Sequence, residues 1–197
     1  MKRNIVLTHT SEKALRRAKN LYENDRFSDA AKILKSNYAE NEYNPEFLEV
    51  YGLSLYRDNQ WDMAIQILKK FTEVSSSKDH LPIIADCYRA LLDYRQVAKI
   101  WETIKRSPTK NVVKIEGQIV AAGALADQGK LISALKLIDS GNYSEKNPSE
   151  YLLRKWYVIA DLKERAGDVP GARALFSTIV KFDPELADVA ERASALS

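Results

Sequence analysis

Small side chains recur through this 197-residue chain at intervals that few folds require. Ala18, Gly52, Ala85, Ala122 and Ala160 form one series, and Ala30, Ala64, Val97, Ala134 and Ala172 a second, whose successive spacings are 34, 33, 37 and 38. Members of both series sit in apolar runs spaced three and four residues apart, the period of an amphipathic helix. A helical bundle has no reason to space its small residues so regularly. A stack of helical hairpins does, because each pair of helices and the next pair must approach closely. Breaks such as Asn24-Asp25, Asp58-Asn59, Gln128-Gly129 and Ala166-Gly167-Asp168 separate the paired runs. A bulky residue follows each break (Phe27, Trp61, Tyr94, Leu131, Val169) and is expected to wedge between its own two helices.

Taken in order, residues 1–9 carry no period and are expected to be a lead-in to one domain over 10–197. Thr10 or Ser11 is the expected cap of the first helix, and its partner runs to about Tyr38. Asn44-Pro45 is a helix start, a cap followed by a proline that needs no amide, and Pro148 is expected to act likewise. The expected hairpins span 11–43, 44–77, 78–109, 110–147 and 148–183. Asp183-Pro184 then opens a closing helix over 184–197 carrying Leu186, Val189, Ala190, Ala193 and Leu196, with Asp188, Glu191 and Arg192 outward.

Several function classes find no support. Hydrophobic residues at 45% and charged residues at 29% are ordinary for a globular chain. The start, Met1 to Thr8, has two basic residues followed by three apolar ones, short of the roughly 7–15 apolar residues of a secretory signal. No run approaches the roughly 20 apolar residues of a membrane span, so no membrane partner is expected and the chain reads as soluble and cytoplasmic. His9 and His80 fall in different repeats, and Cys87 is the single cysteine. No metal-ligand spacing, phosphate-binding loop or nucleophile motif occurs, so neither a cofactor nor an enzyme is expected. Net charge is +3, concentrated in residues 1–20 and 98–114.

Trp156, Ala160, Gly167, Ala172, Phe176, Ile179 and Pro184 sit at offsets that resemble the 34-residue tetratricopeptide repeat, and the offsets recur upstream over about residues 11–184. Arg17 and Lys163 depart from it, each at a usually apolar place. The resemblance implies an all-α fold, a right-handed α-solenoid of about five such hairpins plus a C-terminal capping helix. It also implies a partner-binding concave face of first helices, which maps to Lys19, Tyr22, Leu53, Tyr56, Asp86, Arg89, Ile119, Tyr157 and Asp161. The family's clamp for a terminal carboxylate is absent, since Leu15, Lys19, Val50 or Leu53, Asp79 and Ile83 stand at its places. The expected function is therefore a non-catalytic protein–protein interaction module, an adaptor or scaffold for a peptide or protein. The rival is RNA or other nucleic-acid binding through Lys13, Arg16 and Arg17, joined by Lys105, Arg106, Lys110 and Lys114. A homodimer through the groove or an end repeat is a third reading.

Overall fold

Capping chemistry sets several helix limits in this computed structural model, which describes residues 8–196. The Thr8 hydroxyl accepts from the Ser11 amide and opens α1 (His9–Glu23). Asn44 accepts from the Phe47 amide and opens α4 (Pro45–Arg57). Asp168 does the same for α11 (Val169–Val180) through the Gly171 amide. Each cap satisfies an amide that the first turn leaves without a helical partner. The other helices are α2 (Phe27–Ser36), α3 (Tyr38–Asn41), α5 (Trp61–Ser75), α6 (Leu81–Ala90), α7 (Tyr94–Arg106), α8 (Asn111–Asp127), α9 (Leu131–Ile138), α10 (Glu150–Arg165) and α12 (Val189–Ala195). No strand occurs among the described residues.

Five turns share one backbone design. Asp25, Asn59, Leu92, Gly129 and Gly167 all have left-handed φ, between 57° and 89°. The residue after each donates its amide to a carbonyl five residues earlier: Arg26 to Leu21, Gln60 to Leu55, Asp93 to Tyr88, Lys130 to Leu125 and Asp168 to Lys163, all at 2.8–2.9 Å. That is the 6→1 bond of a helix stop whose next residue is left-handed. Seven residues before each left-handed position and five after it stand the two small residues of the hairpin, so every pair is twelve residues apart. All ten are buried. At Gly52 the reason is visible, for a Cβ there would sit 2.5 Å from Leu68 Cδ2 on the facing helix. The uneven spacing of the series comes from the stretches between turns, where the 17-residue α8 and the connection 139–149 add length.

The described chain forms two compact units, the first ending at Asp93 and the second beginning at Tyr94. In the first, α1 packs on α2 and α4 on α5, α2 and α1 lie against α4, and α6 covers α5. Leu34, Phe47, Leu48, Tyr51, Leu55 and Leu68 are its fully buried centre. In the second, α8 packs on α9 and α10 on α11, with α7 against α8 and α12 against α11. Trp156, Ile159, Phe176, Ile179 and Ile138 fill that core.

Several expectations need correction. The first helix is capped by Thr8, so Thr8 and His9 belong to its start, while residues 1–7 of the expected lead-in lie outside the described residues. The second helix stops at Ser36, and α3 adds one turn that delivers buried Asn41 to Ser11 Oγ at 2.9 Å. Pro148 lies before α10, which starts at Glu150 behind Ser149. The closing helix covers Val189–Ala195, because Ala187 is left-handed (φ 52°) and interrupts the run from Pro184. Val169 is 42% exposed and so is not the buried wedge expected between its helices. Lys163 fits its usually apolar place by meeting Asp139 and Asp168, each at 3.2 Å.

Leu92 is the misfit among the five turns, a side chain 69% exposed on a left-handed backbone. That backbone costs a non-glycine residue about 1–2 kcal/mol, partly offset in the wild type by its smaller unfolded-state entropy. Leu92→Gly is therefore expected to raise stability by about 0.5–1 kcal/mol, and Gly167→Ala to lower it by about 1 kcal/mol. Urea midpoints of the two variants check both signs.

Candidate functional site

The left-handed turn residue gives every first helix a common ruler. Six residues before it stand Lys19, Leu53 and Asp86 on α1, α4 and α6, and three residues before it Tyr22, Tyr56 and Arg89. These six candidates of the first unit thus occupy equivalent places on three helices. Polar ties run between them and to their neighbours. Lys19 pairs with Glu46 at the start of α4. The Tyr56 hydroxyl donates to Asp86 Oδ2 at 2.7 Å, and Arg89 stands 3.7 Å from the same carboxylate. Two turns earlier on α4, Glu49 meets His80 Nε2 at 2.7 Å.

The two tyrosines also brace their own turns. Tyr22 meets Phe27 edge-on with ring centres 5.1 Å apart, and Tyr56 meets Trp61 at 5.6 Å. Arg57 lies over the Phe27 ring at 4.2 Å and 3.6 Å from Asp25. Edge-on aromatic pairs of this kind add about 0.5–1.5 kcal/mol beyond the area they bury. Both tyrosines, Leu53, Asp86 and Arg89 are half-buried, so the row is a floor with polar edges.

In the second unit Tyr157, Asp161 and Glu164 share one face of α10, and a residue of α12 fills it. Arg192 places Nη1 and Nη2 3.1 Å from Asp161 Oδ1, Nη2 2.7 Å from Glu164 Oε2 and Nη1 3.3 Å from the Tyr157 hydroxyl. Its guanidinium carbon lies 4.5 Å from the centre of the Phe176 ring. Tyr157 also donates to Asp188, at 2.5 Å. Burial, then the Asp188 bond, push the Tyr157 hydroxyl above its usual pKa. Burial alone would lower the pKa of Arg192, but its bonds to Glu164, Tyr157 and Asp161 raise it. Arg192 therefore faces inward, against the outward expectation. Ile119 is half-buried against the core of this unit.

Sequence reasoning missed Glu46, Glu49, His80, Glu164 and Arg192. Their signal was a set of polar residues separated by about one repeat, which single-helix periodicity does not detect. Of the basic candidates, Lys13, Arg16 and Arg17 are exposed on α1. Lys105 and Arg106 lie 2.6 and 3.8 Å from Glu102, an exposed carboxylate that offsets part of their charge.

The Cys87 thiol is buried, and burial with the Asp86 charge beside it pushes its pKa up to about 12, so it is not a nucleophile near neutral pH. No group of three metal-ligating residues occurs among the described residues. Asp139, Tyr143 and Lys163 form a polar knot that ties residues 139–149 to α10. Burial would raise the Asp139 carboxyl, yet bonds from Tyr143, the Gly141 amide and Lys163 hold it below the ordinary range. Burial would lower Lys163, yet Asp139 and Asp168 raise it. Tyr143 also stands edge-on to Trp156 at 5.8 Å.

No protein-family model matches the chain, and no curated protein sequence matches it. Solved structures do. A thermophilic tetratricopeptide-repeat protein of Thermus thermophilus is 17% identical, with 94% of this chain and 97% of that one covered and a TM-score of 0.64. A Podospora anserina putative kinesin light chain with nearly identical tetratricopeptide-like repeats is 14% identical, with 92% and 99% covered and a TM-score of 0.65. The fold is thus tetratricopeptide-like, an all-helical array of hairpins, as the sequence implied. No helix among the described residues is long and apolar enough to cross a membrane.

The polar knot makes stability depend on pH at both ends. Asp139 has a lower pKa folded than unfolded, so its contribution is complete above about pH 4–5 and fades as pH falls through the folded value. Lys163 has a higher pKa folded than unfolded, so its contribution is complete below about pH 10 and fades as pH rises through the folded value. Asp139→Asn is expected to lose stability at pH 7 and to show a shallower acid limb, which urea titrations from pH 3 to 7 measure.

Proposed function

We propose that this chain is a non-catalytic interaction module, an adaptor or scaffold that holds a peptide or protein segment on the first-helix face of its repeats. The supporting observation is the row Lys19, Tyr22, Leu53, Tyr56, Asp86 and Arg89, which sets half-buried apolar area between polar edges at repeat spacing on three helices. Such a row suits a segment lying across α1, α4 and α6, with an apolar side chain over Leu53 and polar groups toward the Asp86–Arg89 pair. Tyrosine offers rigid amphipathic contact at low entropic cost, which fits Tyr22 and Tyr56 to this role. Tyr157 and Asp161 stand apart from the working row, since Arg192 already engages them. The tetratricopeptide-like fold supports the same general role, and a single, buried cysteine accords with a cytoplasmic setting.

A second reading keeps one specific observation, the exposure of Lys13, Arg16 and Arg17 along α1. These cations would suit phosphates, although no aromatic residue lies among them for base stacking.

Because truncating either tyrosine would also loosen its turn, Leu53→Glu is the cleaner probe. Peptides selected from a random library on the wild-type protein are expected to bind Leu53→Glu at least about tenfold more weakly, a change of about 1.4 kcal/mol. Replacing Lys13, Arg16 and Arg17 together with Ala should leave that binding unchanged. The reverse pattern, with affinity for RNA that falls steeply between about 50 and 200 mM salt, would replace the groove by the basic face.

A further inference from the structure

Val189 opens α12 twenty-two residues after left-handed Gly167, the distance that separates Leu81, the first residue of α6, from Asn59. The bond from Tyr157 to Asp188 stands where Glu49 meets His80 in the register of that earlier turn. α12 therefore sits in the register of the first helix of a further hairpin, and α10 with α11 presents it a built seat. Val189 is fully buried there, Leu186, Ala193 and Leu196 are partly buried, and Arg192 enters the cluster of Tyr157, Asp161, Glu164 and Phe176.

The helix itself is weakly self-sufficient. Seven residues are too few to hold helical structure alone, since helix nucleation is unfavourable and isolated helices below about 12–15 residues are marginal. Its tether is mostly exposed and holds Ala187 in a left-handed conformation that costs an alanine about 1–2 kcal/mol. Release of α12 relieves that strain and uncovers two carboxylates and a ring already arranged around a guanidinium.

We propose that this seat is an exchange interface, filled in cis by α12 and in trans by the α12 of a second copy of the chain. The second copy is the fitting occupant because its Val189, Arg192, Ala193 and Leu196 reproduce the contacts of the resident helix. Exchange of an identical element between copies adds no new contact and is a low-cost route to a dimer. A short tether gives the resident helix an effective concentration on the order of millimolar, so the wild-type chain stays closed at micromolar concentration. The inference concerns the second unit and is independent of the groove on α1, α4 and α6.

Two full-length variants test it by complementation. Asp161→Arg with Glu164→Arg spoils the seat and leaves Arg192 without a place. Val189→Asp with Arg192→Ala spoils the helix and leaves the seat open. Mixed at about 100 μM each, well below the millimolar cis concentration, they should form a 1:1 complex of twice the monomer mass by light scattering, absent from either variant alone. Adding Arg192→Ala to the first variant should abolish the complex. If circular dichroism shows the first variant unfolded, Asp161→Asn with Glu164→Gln takes its place. Monomers alone in the mixture, or a complex that survives the loss of Arg192, would overturn the proposal.

Discussion

The fold depends on the close approach of two helices around a left-handed turn. A helix ends at a residue that only glycine, asparagine or aspartate adopts at small cost, and a 6→1 bond fixes the exit of the chain. With that exit fixed, the residues seven before and five after the turn are buried, and small side chains suit them. The near-contact of Gly52 with Leu68 shows how little clearance remains. Each hairpin that lies within one unit is thus a twelve-residue clasp, and the variable length sits between turns, in α8 and at residues 139–149.

Polar ties between neighbouring first helices build on that frame. Once the clasps set which residues of α1, α4 and α6 stand at equivalent depth, pairs such as Lys19–Glu46 and Tyr56–Asp86 follow from side-chain reach. Exposed pairs of this kind contribute little stability, about 0–1 kcal/mol each, so their value lies in orienting the half-buried floor around Leu53. In the second unit the same logic closes on itself, and Arg192 gives the two carboxylates of α10 a partner from the chain's own α12.

Most of the fold was legible because its determinants are local. Alanines at helical spacing, the Asn44-Pro45 start and the glycine at Gly167 each carry a short-range physical meaning. The break before Tyr94 was legible too, but the left-handed backbone at Leu92 was not, since leucine disfavours that conformation and gives no sign of it. The shortened α12 was hidden for a similar reason, as Ala187 carries no helix-breaking mark. The direction of Arg192 escaped because a long amphipathic side chain can point either way from the same helical position. Which of the candidate first-helix residues would find partners depended on residues 27–31 positions away, beyond the reach of helical periodicity.

One insertion experiment tests the clasp most directly. A single alanine placed between Ala166 and Gly167 lengthens the turn and breaks the twelve-residue distance from Ala160 to Ala172. The same alanine placed between Ser144 and Glu145 lengthens only the connection between hairpins. The turn insertion should cost more than about 2 kcal/mol in urea unfolding, and the connection insertion less than about 0.5 kcal/mol. Equal losses at the two sites would contradict the clasp as the element that organises this fold.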